Sequence, residues 1–248
     1  MFNGSNDTTD ELQADQSLTA LDDLAIDTVF KTVLRRVYLW MMLGLLITAG
    51  AALVTVMTPF GSLVFSNVAI LIGLMVGEIA LVITLSRAVQ KLSPTVAGVL
   101  FFAYAALNGV TLSSIFWAYD LGSVGVAFFV SAALFGAMSL IGYSTKKDLS
   151  RWRGFLLMGL IGLVISSLAN LFFASTGLDW LISTVGVILF LGLTIYDTQK
   201  IKQMTAQSLQ MGDTAVVAKV GILGALRLYL DFVNLFLYLL RFMGRRRR

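Results

Sequence analysis

What constrains this chain most is a series of apolar runs, each about twenty residues long, separated by short connections. They occupy residues 37–57, 63–85, 96–118, 122–143, 154–174 and 178–199. A run of that length crosses the ~30 Å hydrocarbon core of a bilayer as a helix, with its backbone polar groups satisfied inside the segment. Only 2 prolines occur in 248 residues, so the runs stay unbroken, and they lack the short alternating strands of a membrane β-barrel. Composition agrees: 13% of residues are charged, against ~25% in a soluble domain. The expectation is an all-α integral membrane protein.

A seventh segment, residues 220–243, is apolar but carries Arg227, Asp231, Asn234 and Arg241. That is too much polarity to face lipid, so the other six helices should enclose it, giving a seven-helix bundle with the last helix at its centre. The transmembrane domain then covers residues 31–243. Before it, residues 1–30 hold seven acids, Asp7, Asp10, Glu11, Asp15, Asp22, Asp23 and Asp27, ahead of any Lys or Arg. A signal peptide would begin basic, and the acids lack the alternation and glycine turn of an EF-hand loop. A disordered or weakly amphipathic solvated tail is expected. Residues 244–248 form a basic C-terminal tail.

The connections are asymmetric in charge. Lys31, Arg35, Arg36, Arg87, Lys91, Lys146, Lys147, Arg151, Arg153, Lys200, Lys202 and Lys219 all fall on one side, and the opposite connections contain Asp120 and Asp179 with no basic residue. Positive charge is retained in the cytoplasm, which puts the N-terminus there. Seven crossings would place Arg245 to Arg248 outside. A re-entrant seventh segment is the alternative, but only Gly221 and Gly224, both near its start, could turn the chain, and a crossing is favoured.

The chain has no cysteine and no histidine. It therefore has no disulfide, thiolate nucleophile, Ser-His-Asp triad, His/Cys zinc site or His-ligated haem. Chemistry falls to the carboxylates and basic residues inside the membrane. In the seventh segment Arg227, Asp231, Asn234, Tyr238 and Arg241 follow at +4, +3, +4 and +3, one stripe about 21 Å long at 1.5 Å per residue. Either the stripe lines an enclosed pathway, or its two arginines snorkel to the interfaces and leave only Asp231 and Asn234 buried. Asp197 ends the sixth segment at a depth close to that of Asp231. If the two carboxyls meet in a low dielectric they share one proton; otherwise each is solvated separately at its helix end.

Glu78 lies in the second segment, with Arg87 nine residues on and so on the opposite face. Arg87 is level with the aspartates and either approaches them or anchors its helix, while Glu78 is a deeper acid. Asn108, with Thr111, Ser113 and Ser114, adds hydrogen-bonding groups to the third segment, for packing or for a hydrophilic path. Gly73 and Gly77 form a GxxxG, read as a mark of close helix packing.

Two stretches resemble the Bax inhibitor-1 family, the transmembrane Bax inhibitor motif proteins, and the chain looks like a bacterial member. They are Leu193-Thr194-Ile195-Tyr196-Asp197-Thr198-Gln199-Lys200-Ile201 and Ala225-Leu226-Arg227-Leu228-Tyr229-Leu230-Asp231-Phe232-Val233-Asn234-Leu235-Phe236. Leu34 to Tyr38 and Asn108 to Ser113 are similar but less specific. The resemblance implies a seven-helix fold in the bacterial inner membrane and a pH-sensitive calcium leak gated by an aspartate pair, here Asp197 and Asp231. It implies a basic partner from the second helix, for which Arg87 is the match, and makes Glu78 an ion contact beside the two aspartates.

Lipid, calcium ions and protons are the partners this implies. Nucleic acid is not among them, the chain is expected to be monomeric, and neither a cofactor nor an enzymatic activity is expected. Calcium prefers carboxylate and carbonyl oxygens, which favours a cation leak. A proton-coupled transporter also uses buried acids, but the paired broken helices of that class are missing. A non-conducting interaction or stress-protection role would leave the carboxylate pair without a use.

Overall fold

The computed structural model describes residues 4–88, 91–145, 147–210 and 214–245; for 4–27, 209–210 and 214–216 it describes the backbone alone. Lys146 and Arg246 to Arg248 lie outside the described residues. The described chain is helical: α1 (Gly4–Met57), α2 (Pro59–Ser66), α3 (Val68–Ala88), α4 (Pro94–Leu112), α5 (Ile115–Ala118), α6 (Leu121–Ser144), α7 (Trp152–Phe173), α8 (Thr176–Gln210) and α9 (Thr214–Met243). Seven stretches are long and apolar enough to cross a membrane: Thr28–Met57, Val68–Ala88, Pro94–Ala118, Leu121–Ser144, Trp152–Phe173, Thr176–Ser208 and Val217–Met243.

Local chemistry sets the boundaries. Asn67, extended at φ −116°, separates α2 from α3, and its Oδ1 accepts from Ala69 N at 3.0 Å. Ser93 caps α4 ahead of Pro94, whose missing N–H costs nothing at a helix start. Asp120 caps α6 by accepting from Ser123 N at 2.9 Å. The 199–220 connection expected between the last two spans is much shorter, because α8 runs on to Gln210 and α9 begins at Thr214. Lys200, Lys202 and Lys219 therefore sit on helices. In the same way α1 extends back through the acidic lead-in to Gly4.

α9 is the centre. It packs against α8, α1, α6 and α4, while α3 rests on α4 and α2, and α7 on α8. Of the apolar window of α9, 67% is buried, against 6% for α3 and 11% for α7. The peripheral helices instead expose residues such as Ile79, Leu171 and Phe172, surface that suits hydrocarbon and not water.

Glycines allow the closest approaches, but not at the GxxxG. A Cβ on Gly73 would meet nothing within 4 Å, and one on Gly77 only Leu107 at 3.9 Å. Backbones come together instead at Gly109, where a Cβ would stand 2.3 Å from Thr48 O, and at Gly142, 2.6 Å from Ile195 O. The expectation of close packing at Gly73 and Gly77 is corrected: Gly73 meets no neighbour, and Gly77 approaches α4 only to ordinary van der Waals distance.

The seventh segment does not turn back. α9 is continuous from Thr214 to Met243, and its end meets the connection that carries Asp120 and the first turn of α8, which carries Asp179. Arg241 pairs with Asp179 at 3.6 Å, and Asp120 N donates to Arg245 O at 3.2 Å.

Candidate functional site

The antiparallel seam between α8 and α9 is held by an ion pair near each end. Toward the basic side, Arg227 Nη1 lies 3.0 Å from Asp197 Oδ1; toward the other, Arg241 lies 3.6 Å from Asp179. The first pair is the less exposed, with the Asp197 side chain only 10% accessible. Asp231, one turn further along α9 than Arg227, is 4% exposed, and its Oδ2 meets no hydrogen-bond donor among the described residues. It lies in the electrostatic field of both Asp197 and Arg227. Two buried carboxyl groups and one half-exposed guanidinium therefore lie near enough to interact electrostatically. Such a cluster is electrically neutral when it holds one carboxyl proton, and carries a net −1 when it holds none.

The helices around the cluster keep it in place. Thr194 and Thr198 return their hydroxyls to Phe190 O and Thr194 O, at 2.8 Å each, and so are spent within α8. Thr198 Oγ1 also meets Ser139 Oγ of α6 at 3.1 Å, and Ser139 bonds to the Tyr38 hydroxyl of α1. Gln199 bridges α8 to the connection before α7, donating to Lys147 O at 2.6 Å and accepting from Leu149 N at 2.9 Å.

Glu78 belongs to a second polar network. It accepts from Thr111 Oγ1 at 2.5 Å. Close by on α4, Asn108 Oδ1 accepts from the Tyr229 hydroxyl at 3.1 Å, and that hydroxyl meets Thr48 Oγ1 at 2.7 Å. Tyr229 and Asp231 are two residues apart on α9, about 200° around the helix, so the two networks occupy opposite sides of it. No three acidic side chains gather into a metal-sized group among the described residues; Glu78 is not brought to the two aspartates.

The remainder of the stripe packs along the seam. Asn234 donates back to Leu230 O at 2.8 Å. Tyr238 stacks on Phe190 with ring centroids 5.7 Å apart, and Arg241 lies over the Tyr238 ring at 5.9 Å. Gly186 makes room for that ring, since a Cβ there would stand 2.6 Å from it.

A family model described as inhibitor of apoptosis-promoting Bax1 matches residues 30–248. The chain belongs to the Bax inhibitor-1 family. It is 50% identical over 218 residues to the inner membrane protein YbhL of Escherichia coli, covering 88% of this chain and 93% of that one. It is 44% identical to an uncharacterized protein of Borreliella burgdorferi, with 86% and 92% covered, and 43% identical to one of Deinococcus radiodurans, with 91% and 95% covered.

In this Bax inhibitor-1 family member, Arg87 does not reach the aspartates. It is exposed at the end of α3, whose neighbours are α2 and α4, and the guanidinium at Asp197 is that of Arg227 instead. Helical spacing hid this, because Arg227 and Asp231 were read along one helix while the partner of Arg227 lies across the seam. Tyr229, Thr48 and Gln199 also hold polar contacts between elements that spacing along one helix does not reveal. A tyrosine inside an apolar run was the one available sign for Tyr229, since a buried hydroxyl needs a partner.

Proposed function

We propose that this chain forms a pH-sensitive cation leak in the bacterial inner membrane, with calcium the expected ion and the N-terminus cytoplasmic. In this reading it carries no resident cofactor and catalyses no reaction. The observation that supports it best is Asp231: a buried carboxyl with an unpartnered oxygen, set beside the Asp197–Arg227 ion pair. With one shared proton the cluster is neutral. Loss of that proton leaves a net negative charge in low dielectric, and two neighbouring carboxylates repel by up to a few kcal/mol at an effective dielectric near 20. A gate biased by ~1–3 kcal/mol responds to such a change. The inner-membrane location is supported by the E. coli relative's name and the seven apolar helices. The cytoplasmic N-terminus is supported by the basic connections.

Reconstitution into liposomes with an enclosed calcium dye tests the reading. Flux through the wild type should change between about pH 6 and pH 8. Asp231→Asn keeps the shape and the ion pair but removes the titrating carboxyl, so its flux should be nearly independent of pH. Asp197→Asn should behave likewise, with Arg227 left to Asp231. A wild-type pH profile in both correctly inserted variants would overturn the mechanism. Wild-type liposomes without flux would favour a non-conducting role, and flux that needs an imposed proton gradient would favour a proton-coupled transporter.

A further inference from the structure

A cavity of about 390 Å³ opens at the basic end of the bundle, between α1, the start of α4 and the start of α9. The spans of α4 and α9 begin at Pro94 and Val217, so the cavity sits where the hydrocarbon core meets the headgroup layer. Its wall has two chemical halves. The inner half is apolar: Trp40, stacked on Phe102 with ring centroids 4.9 Å apart, faces Ile222. The rim carries Arg36 and Thr95, both exposed, and among the described residues no acidic one lines the cavity. Among the described residues Arg36 makes no ion pair.

Two glycines shape the space. A Cβ on Gly98 would stand 2.7 Å from the Trp40 indole, so this glycine lets the ring come close to α4. Gly221 faces the cavity and has nothing within 4 Å of its Cβ position. A helix interior gains from a side chain there, yet this position leaves the volume open.

From this arrangement we infer that the cavity is a binding site for one anionic phospholipid of the leaflet on the basic side, its phosphate at Arg36 and Thr95 and the start of an acyl chain against Trp40 and Ile222. A free phosphate would use only the rim, and a neutral lipid only the apolar half. The amphiphile with a negative headgroup uses both. The site lies apart from the Asp197–Arg227–Asp231 cluster and stands whether or not that cluster gates an ion.

Tryptophan quenching tests it. In full-length protein with Trp117→Phe, Trp152→Phe and Trp180→Phe, Trp40 is the sole reporter, placed in vesicles of phosphatidylcholine with either brominated phosphatidylglycerol or brominated phosphatidylcholine at equal mole fraction. The brominated anionic lipid should be favoured about five-fold, the size of one basic residue's attraction near a membrane surface. Arg36→Gln should bring that ratio to about one. Arg35→Gln, a neighbour that does not line the cavity, should leave it unchanged. Gly221→Phe should fill the cavity and reduce quenching by both lipids, and added inorganic phosphate should not compete. Equal quenching by the two lipids, or equal losses in Arg35→Gln and Arg36→Gln, would overturn the site. Should the three tryptophan replacements impair insertion, native mass spectrometry of wild type, Arg36→Gln and Gly221→Phe decides instead. A retained phosphatidylglycerol on the wild type alone supports the site, and the same lipid count on all three rejects it.

Discussion

Arg227 has the largest expected effect on stability of any single residue in the seam. Its head is 37% accessible while that of Asp197 is 10% accessible, so removing the cation strands a carboxylate that cannot easily reach water. Stranding a fully buried charge costs ~3–5 kcal/mol, and the partial exposure of this pair reduces that to about 1–3 kcal/mol. Arg227→Gln should therefore lower the melting temperature in detergent, and adding Asp197→Asn should recover most of the loss. A double variant no more stable than Arg227→Gln alone would mean that the pair is not coupled. The motifs exposed Asp197 and Asp231 as candidates. Their cation was hidden, because charge pairing across helices depends on rotation about two axes, which one-dimensional spacing does not carry.

At the scale of elements, glycine placement decides how near the helices come. Gly142 lets α6 settle on α8 with Ile195 O only 2.6 Å from where a Cβ would be. Backbone cannot yield there as a flexible side chain can, so Gly142→Ala should cost about 1–3 kcal/mol. Gly73→Ala should be neutral or stabilising by up to ~1 kcal/mol, because it meets nothing and gains helix propensity. Thermal unfolding of the two variants in one detergent measures the contrast, and equal effects would contradict the assigned helix faces. The GxxxG drew attention to the wrong pair because small residues permit close approach without requiring it. Which glycines are used depends on the direction each helix faces.

For the molecule as a whole, the path of α9 ties both ends of the seam to opposite faces of the bundle. Its far end joins the connection that holds Asp120 and the start of α8 that holds Asp179, so Arg245 belongs on the same side as Ser62 and opposite Ser150. Single cysteines at positions 62, 150 and 245, all exposed, give the readout with an impermeant thiol reagent on intact cells. Cysteines at 62 and 245 should label and that at 150 should not. Protection at 245 together with labelling at 62 would mean that α9 does not cross.

The number of spans, their all-helical nature and the central place of the seventh were determined by the sequence alone. Hydrophobic length and an excess of polar groups in one segment are local properties, and the bilayer converts them into helices and burial. Asp197 and Asp231 were legible for the same reason, as acids where lipid would not tolerate them. Tertiary structure alone decided that Arg227 and not Arg87 meets Asp197, and that Glu78 joins Thr111 on the far side of α9 from the aspartates. It also placed the contacts of Tyr238 and Gly186 along one packed seam. Those outcomes turn on the relative rotation and depth of neighbouring helices, set by the packing of many side chains at once.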